Sequence, residues 1–412
     1  MKVFVGLHGL REFYIDIDKN RNNNMLFIGM PGTGKSTLVK SILLRLSSSK
    51  ENIDVIDFTG EYDVLKNHGY SELIPGENIF INPLDLPKHI SRDLLFHFIR
   101  HIYGRDVTPI QLSIIYDYID SRDLKEMTKR IIEMRESVTD SGWRNAYSAV
   151  LNRIRPLTEL EAISQTTTIP HGRNIINLAH MPGELAKQFF CFTFLHYLYY
   201  LSIEGRYNAI LIIDEAEKIA YDLSRFGEKN IVTKIMDELR KYGLYVFLIS
   251  HSLKSLDPEV INSCSRIVVF RLRHPDEVEM AGRMLSLPAK KIRQIPNYYC
   301  YYNDYRGTFI VKVIPEKEVL VRFKPSKKCY LDEFEEARKI LLREERDEWS
   351  IELLSNSRIL REIYNFYRGK TISIKYIDKR YLKQTTSGIK LTKLAEKICK
   401  KLDEKITNIK NN

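Results

Sequence analysis

Eight residues near the start of the chain restrict its fold more than any other feature. Gly29-Met30-Pro31-Gly32-Thr33-Gly34-Lys35-Ser36 fits G-x-x-x-x-G-K-[ST], between the apolar run Met25–Ile28 and a helix-like run, Thr37–Leu46. Strand, glycine-rich turn and helix in that order make a loop whose N–H groups curl inward around phosphate oxygens. The helix N-terminus adds the positive end of its dipole. Gly29, Gly32 and Gly34 free the backbone for this curl, with Pro31 and Thr33 between them. Lys35 is expected to reach the outer phosphates and Ser36 to offer its hydroxyl to Mg2+, with Thr37 next in the first helical turn. The expected cofactors are therefore ATP and Mg2+.

Such a loop needs a carboxylate at the end of a buried strand nearby. Ala209-Ile210-Leu211-Ile212-Ile213-Asp214-Glu215 supplies one, since five apolar residues read as a strand covered on both faces. Its acids emerge at the carboxyl end, where ligands bind in parallel sheets. Asp214 is expected to hold the metal and Glu215 to orient and polarise the attacking water, because phosphoryl transfer needs mostly positioning and charge neutralisation.

The remaining pattern alternates strands with helices. A strand pair is expected at Lys2–Val5 and Phe13–Ile17, then strands at Ile53–Asp57, Asn174–Leu178, Tyr245–Ser250 and Ile267–Arg271, with a helix over Glu184–Ser202. A second pair, Thr308–Ile314 with Val319–Phe323, closes the body, and Ser91–Thr168 is helical in period. The fold class is α/β with a largely parallel central sheet and a helical insert at about 91–168. The expected division is 1–326 for the body, 327–350 for a charged helical connector and 351–412 for a small basic domain.

With 412 residues, 44% hydrophobic and 28% charged, the chain has the composition of a globular protein. No stretch is apolar enough to span a bilayer and the amino terminus lacks a secretory apolar core, so a cytoplasmic location and no transmembrane segment are expected. Five scattered cysteines show no metal spacing. The net charge is +11, and residues 351–412 carry 15 Lys and Arg against 6 Asp and Glu, a net of +9. A basic module on a nearly neutral body points to a polyanionic partner, most simply nucleic acid.

Val55-Ile56-Asp57-Phe58-Thr59-Gly60-Glu61-Tyr62 resembles the D-x-x-G-E-[YW] segment of the HerA/FtsK superfamily of DNA-pumping ATPases, the HerA branch in particular. Ile81-Asn82-Pro83-Leu84, Asn174–Leu178 with the helix after it, Glu238–Gly243, Ile249-Ser250-His251 and Asp257–Arg271 continue the resemblance in order, over about 25–325. It implies a RecA-like P-loop NTPase working as a ring, most simply a homo-hexamer, on double-stranded DNA. Nuclease, capsid or transfer-channel proteins are the partners it suggests. By matched position it also implies a γ-phosphate sensor at His251, where a glutamine is usual, and a catalytic arginine at Arg240. Asp57 and Glu61 would bind water or the nucleophile. The chain departs from the family in having 28 residues before Gly29, where HerA proteins carry a β-barrel, so it looks like a trimmed motor.

In the basic module, Ile359–Tyr364 and Ile372–Tyr381 read as short helical units. Thr385–Gly388 reads as a turn, and Ile389–Lys397 opens a final helix. GIKLTKLAEKI resembles the end of a winged-helix domain, which would put a helix in a DNA groove while Lys and Arg hold phosphates. Two other classes stay open at this point: an ATP-switched DNA-binding regulator without motor action, and a secretion-type ATPase moving protein.

Overall fold

The computed structural model describes residues 1–412 except 19–20, 105–106, 161, 164–166, 223–228, 321–332, 345–346, 348–349, 351–352, 355–359, 361–362, 365–366, 368–380, 386–387 and 412. It divides into two compact units, Met1–Phe323 and Lys324–Asn412.

The first unit is built on one sheet of 11 strands: β1 (Lys2–His8), β2 (Arg11–Asp16), β3 (Met25–Ile28), β4 (Ile53–Asp57), β5 (Ser71–Leu73), β6 (Arg173–Asn177), β7 (Ile210–Ile213), β8 (Tyr245–Ser250), β9 (Arg266–Val269), β10 (Tyr299–Asp304) and β11 (Gly307–Val313). Their order is β2-β1-β11-β10-β9-β3-β8-β7-β4-β6-β5. From β9 to β5 every pairing is parallel, and the other end of the sheet is antiparallel. The strand that feeds the glycine-rich loop thus lies between β8 and β9, in the middle of the whole sheet and one strand in from the start of its parallel part.

Strand periodicity explains why the sheet is covered twice. In β3, Leu26 and Ile28 face one core while Met25 and Phe27 face the other; β7 divides Leu211 and Ile213 from Ile210 and Ile212 in the same way. Helix α1 (Lys35–Leu46) fills the second face with Leu38, Val39, Ile42 and Leu43. The first face is covered by α2 (Lys88–Tyr103), α3 (Pro109–Asp117), α4 (Leu124–Ser137), α5 (Ser141–Thr158) and the strongly apolar α6 (Gly183–Ile203). The described residues of 91–168 are therefore a packed layer, not an appendage. Phe98 of α2 meets Phe189 of α6 at 4.8 Å between ring centroids. Thr108, Asp123 and Asp140 cap α3, α4 and α5, which explains where the run is cut into separate helices.

One pairing differs from the expectation. Thr308–Ile314 does form a strand, but its hairpin partner is β10, and Val319 lies in the short helix Lys317–Leu320; 321–323 are outside the described residues. The tyrosines of β10 hide the alternation: Cys300, Tyr302 and Asp304 are buried, while Tyr299, Tyr301 and Asn303 are only partly so. Asp304 then fixes the turn by accepting from the Arg306 N–H at 2.9 Å.

The second unit has its own small core, made by Ala337, Leu341, Leu354, Leu360, Ile363, Ala395, Ile398 and Leu402 among others. Helix Glu333–Glu344, in the stretch expected as a connector, contributes Ala337 and Leu341 to that core. Gly388–Leu391 is a strand, β13, paired antiparallel with β12 (Leu382–Thr385). The final helix starts at Lys393, not at Ile389, and ends at Asn411. The expected helical unit at 372–381 falls almost wholly outside the described residues. Among the described residues no helix is long and apolar enough to cross a membrane.

Candidate active site

The carboxyl ends of β3, β4, β7 and β8 open into a cleft of about 370 Å³. Pro31, Gly32, Gly34, Lys35, Ser36, Thr37, Glu61, Asp214, Glu215 and His251 line it together, although they come from four separate stretches of sequence. Lys40, Thr59, Tyr298 and Val319 complete the wall. Gly29 and Thr33 shape the loop from behind. A Cβ on Gly29 would lie 2.6 Å from the Phe270 Cβ, so only glycine lets the loop leave β3 against that ring. The Thr33 hydroxyl donates to the Met30 carbonyl at 2.7 Å and closes the turn.

Lys35 is 3% exposed. Its ammonium donates to the Gly29 carbonyl at 2.5 Å and the Met30 carbonyl at 3.0 Å, and meets His251 Nδ1 at 2.9 Å. With Lys35 charged, Nδ1 accepts and the ring carries its proton on Nε2. All three partners are neutral, so a buried positive charge sits without an anion in contact. Burial pulls the Lys35 pKa down to about 8, against the opposing pull of Asp214, Glu217 and Glu61.

Asp214 is the mirror image. It is 5% exposed, and its oxygens accept from the Tyr62 hydroxyl at 2.9 Å and the Glu215 N–H at 2.9 Å. Burial pushes its pKa up to about 7, outweighing those two donors. A buried cation and a buried carboxylate thus share one cleft, each bonded to neutral groups. A metal–polyphosphate would satisfy both at once, with its anionic part at Lys35 and the loop N–H groups and its cation held by Asp214 and the Ser36 hydroxyl. The residues fit ATP and Mg2+. Mg2+ supplies charge neutralisation to the phosphates when bound. Lys35 and the loop N–H groups would hold the phosphates, and Glu215, which lines the same cleft, would orient water there.

Glu215 follows β7 in the left-handed region, φ 52°, a strained conformation for a residue with a side chain. Its carboxylate pairs with Lys218, whose ammonium also pairs with Glu184 at 3.0 Å. Glu61 lines the same cleft, half-exposed, and meets Lys40 at 3.4 Å.

Two expected residues are not brought to the cleft. Asp57 is buried below it, accepting from the N–H groups of Thr59, Gly60 and Tyr62 at 3.1, 2.8 and 3.0 Å. Those bonds hold the Thr59–Tyr62 turn, so Asp57 positions Glu61 and Tyr62 instead of contacting the nucleophile. Arg240 is exposed on the turn Arg240–Tyr242, between α7 (Ile231–Glu238) and the amino end of β8. His251 lies beyond the carboxyl end of that strand, so about 20 Å of strand separates Arg240 from the cleft of its own chain. Tyr62 and Lys218 were missed by residue-type reasoning. Tyr62 stood inside the D-x-x-G-E-[YW] segment, and its buried hydroxyl, not its ring, is what reaches the site.

A pH effect follows from Lys35. Because its pKa is lowered in the folded protein, the charged form is complete only below that value and is lost as pH rises through it. ATP needs the charged form, so affinity is expected to fall about tenfold per unit above pH ~8, with proton uptake on binding. Titration of a fluorescent ATP analogue from about pH 7 to about pH 9.5 measures this; an unchanged affinity would contradict it.

Comparison with known proteins bears on the fold and the family. A curated probable helicase of Methanocaldococcus jannaschii is 23% identical over 310 residues, 67% of this chain; the chain spans 58% of that relative's length. Among solved structures, VirB4 of Thermoanaerobacter pseudethanolicus superposes with a TM-score of 0.63 at 15% identity, covering 77% of this chain and 97% of that one. The bacterial conjugative coupling protein TrwB gives 0.56 at 13% identity, covering 71% and 85%. At these identities the likeness is one of fold. The family model for the central domain of helicase HerA matches residues 8–246, more than half of the chain, and its span includes the loop, Asp57–Tyr62, Asp214 and Glu215. The chain therefore belongs to the HerA central-domain family and is a P-loop ATPase of the HerA/FtsK type.

Proposed function

We propose that this ATPase is a DNA motor: it couples Mg-ATP hydrolysis to movement of double-stranded DNA, as a ring that is most simply a hexamer. The observation that carries the reading is the division of labour along the chain. Among the described residues, all that line the nucleotide cleft precede Phe323, whereas +9 of the net +11 lies in 351–412, within a unit that has a hydrophobic core of its own. The family match and the relative described as a probable helicase support it. In this reading the second unit is a winged-helix-like module that grips phosphates, and the motor serves packaging, transfer or processing of DNA.

The test is ATP turnover with and without linear duplex, for the full chain and for a chain ending at Phe323. Duplex is expected to raise turnover of the full chain several-fold. The shortened chain is expected to keep basal turnover and lose most of the stimulation and most of the DNA affinity. Affinity of the full chain should fall steeply with salt, with a slope of about 0.9 per phosphate neutralised. Duplex binding that changes with nucleotide but never accelerates turnover would instead mark an ATP-switched regulator. No nucleic-acid binding at any salt would mark a protein-moving ATPase.

A further inference from the structure

One wall of the cleft is formed by Tyr298 and Val319. Tyr298 lines it with φ 61°, a left-handed conformation that a bulky residue adopts only under constraint. The constraint is visible. The Tyr298 N–H donates to the Thr33 carbonyl at 3.0 Å, and the Tyr298 carbonyl accepts from the Val313 N–H at 2.8 Å. The phosphate loop and β11 therefore hold the residue from both sides. Its ring lies so close to the loop that a Cβ on Gly34 would meet the Tyr298 Cδ1 at 3.2 Å.

Packing alone does not account for this ring. Phe270 already fills the space behind the loop and is 0% exposed, whereas Tyr298 remains 41% exposed. A strained backbone that leaves an aromatic side chain open to the cleft is characteristic of a ligand platform.

The sheet order says which part of the ligand arrives there. Asp214, Glu215, Thr59 and Glu61 stand at the ends of β7 and β4, on one side of β3. Tyr298 directly precedes β10, on the other side of β3, and Val319 comes from the short helix Lys317–Leu320. A triphosphate lying along the loop puts its terminal phosphate toward Asp214 and Glu215. Its nucleoside then leaves toward Tyr298 and Val319.

We propose that Tyr298 is the platform on which the base of the bound nucleotide stacks, with Val319 beside it. The inference rests on the nucleotide cleft and not on the movement of DNA. Stacking reads the face of a base, and the rest of the affinity comes from phosphate contacts that have no base to read.

The experiment compares Mg-ATP with Mg-tripolyphosphate, which has the phosphates but no base, on the full chain. Tyr298→Ala is expected to weaken ATP about 10- to 100-fold and to leave tripolyphosphate within about twofold. Tyr298→Phe and Tyr298→Trp are expected to keep ATP affinity within about twofold, since both keep a stacking face. Tyr298→Gly, which suits the left-handed backbone, is expected to lose ATP affinity as the alanine variant does, so the result does not depend on alanine folding well there. In turnover assays the loss should appear in KM more than in kcat. Equal weakening of ATP and tripolyphosphate would overturn the proposal and make Tyr298 a support of the loop. Unchanged ATP affinity in both the alanine and glycine variants would overturn it as well.

Discussion

Glu215→Gln is expected to lower ATP turnover by about 10³-fold or more while ATP still binds and stays trapped. The substitution keeps the side-chain length at the end of β7 and leaves Asp214, the Tyr62 hydroxyl and the loop as they are. It removes the negative charge that polarises water. Lys218 then pairs with Glu184 alone, a partner it already has at 3.0 Å. Lys35→Ala is expected to stop turnover by a different route. It deletes the buried ammonium that the Gly29 and Met30 carbonyls and His251 hold in place, so the phosphates lose their cation. A hydrogen bond to a charged group is worth about 1.5–3 kcal/mol, so ATP affinity should fall by about 10- to 150-fold. Turnover and fluorescent-nucleotide binding, measured on both variants, separate the two roles. Parent-rate hydrolysis by the Glu215→Gln protein would show that Glu215 has been assigned wrongly.

Arg240→Ala is expected to cost about 10³-fold in turnover, the scale of an arginine that stabilises the transition state from a neighbouring subunit. The fold excludes action within one chain, because Arg240 sits at the amino end of β8 and the cleft at its carboxyl end. Gly243, three residues on, lines a separate pocket with Glu51 and Ile210, at the far end of the sheet. A head-to-tail ring joins two different surfaces at every interface, so it can bring one copy's Arg240 to the next copy's cleft. Mixtures of Arg240→Ala and Glu215→Gln chains should then regain activity that neither has alone, at interfaces that pair an intact cleft with an intact arginine. Mixtures that stay as inactive as their components would rule out this transfer between copies.

Local signals made the site legible. The glycine spacing, the apolar runs Met25–Ile28 and Ala209–Ile213, and the acids just after the second run need only neighbours in sequence. Their convergence in one cleft follows from parallel strands ending on the same edge. Features set by distant contacts were not legible. β1 pairs with β11, about 300 residues away, and nothing in either strand names the other. Asp57 read as a catalytic acid by motif position, yet three backbone donors capture it. Arg240 matched a catalytic arginine, but only strand direction reveals that its own cleft is out of reach. The constraint on Tyr298 comes from its backbone bonds to Thr33 and Val313, both distant in sequence, so its exposed ring had no signal in the residues around it.

In the proposed motor, ATP hydrolysis moves duplex DNA. Displacement of a third strand from a triplex, placed at the end of a linear duplex, tests it most directly. The full chain with Mg-ATP should strip the third strand. It should fail to do so with a non-hydrolysable analogue, and the Glu215→Gln protein should fail with ATP. A full chain that hydrolyses ATP at the duplex-stimulated rate yet leaves the triplex intact would contradict the claim.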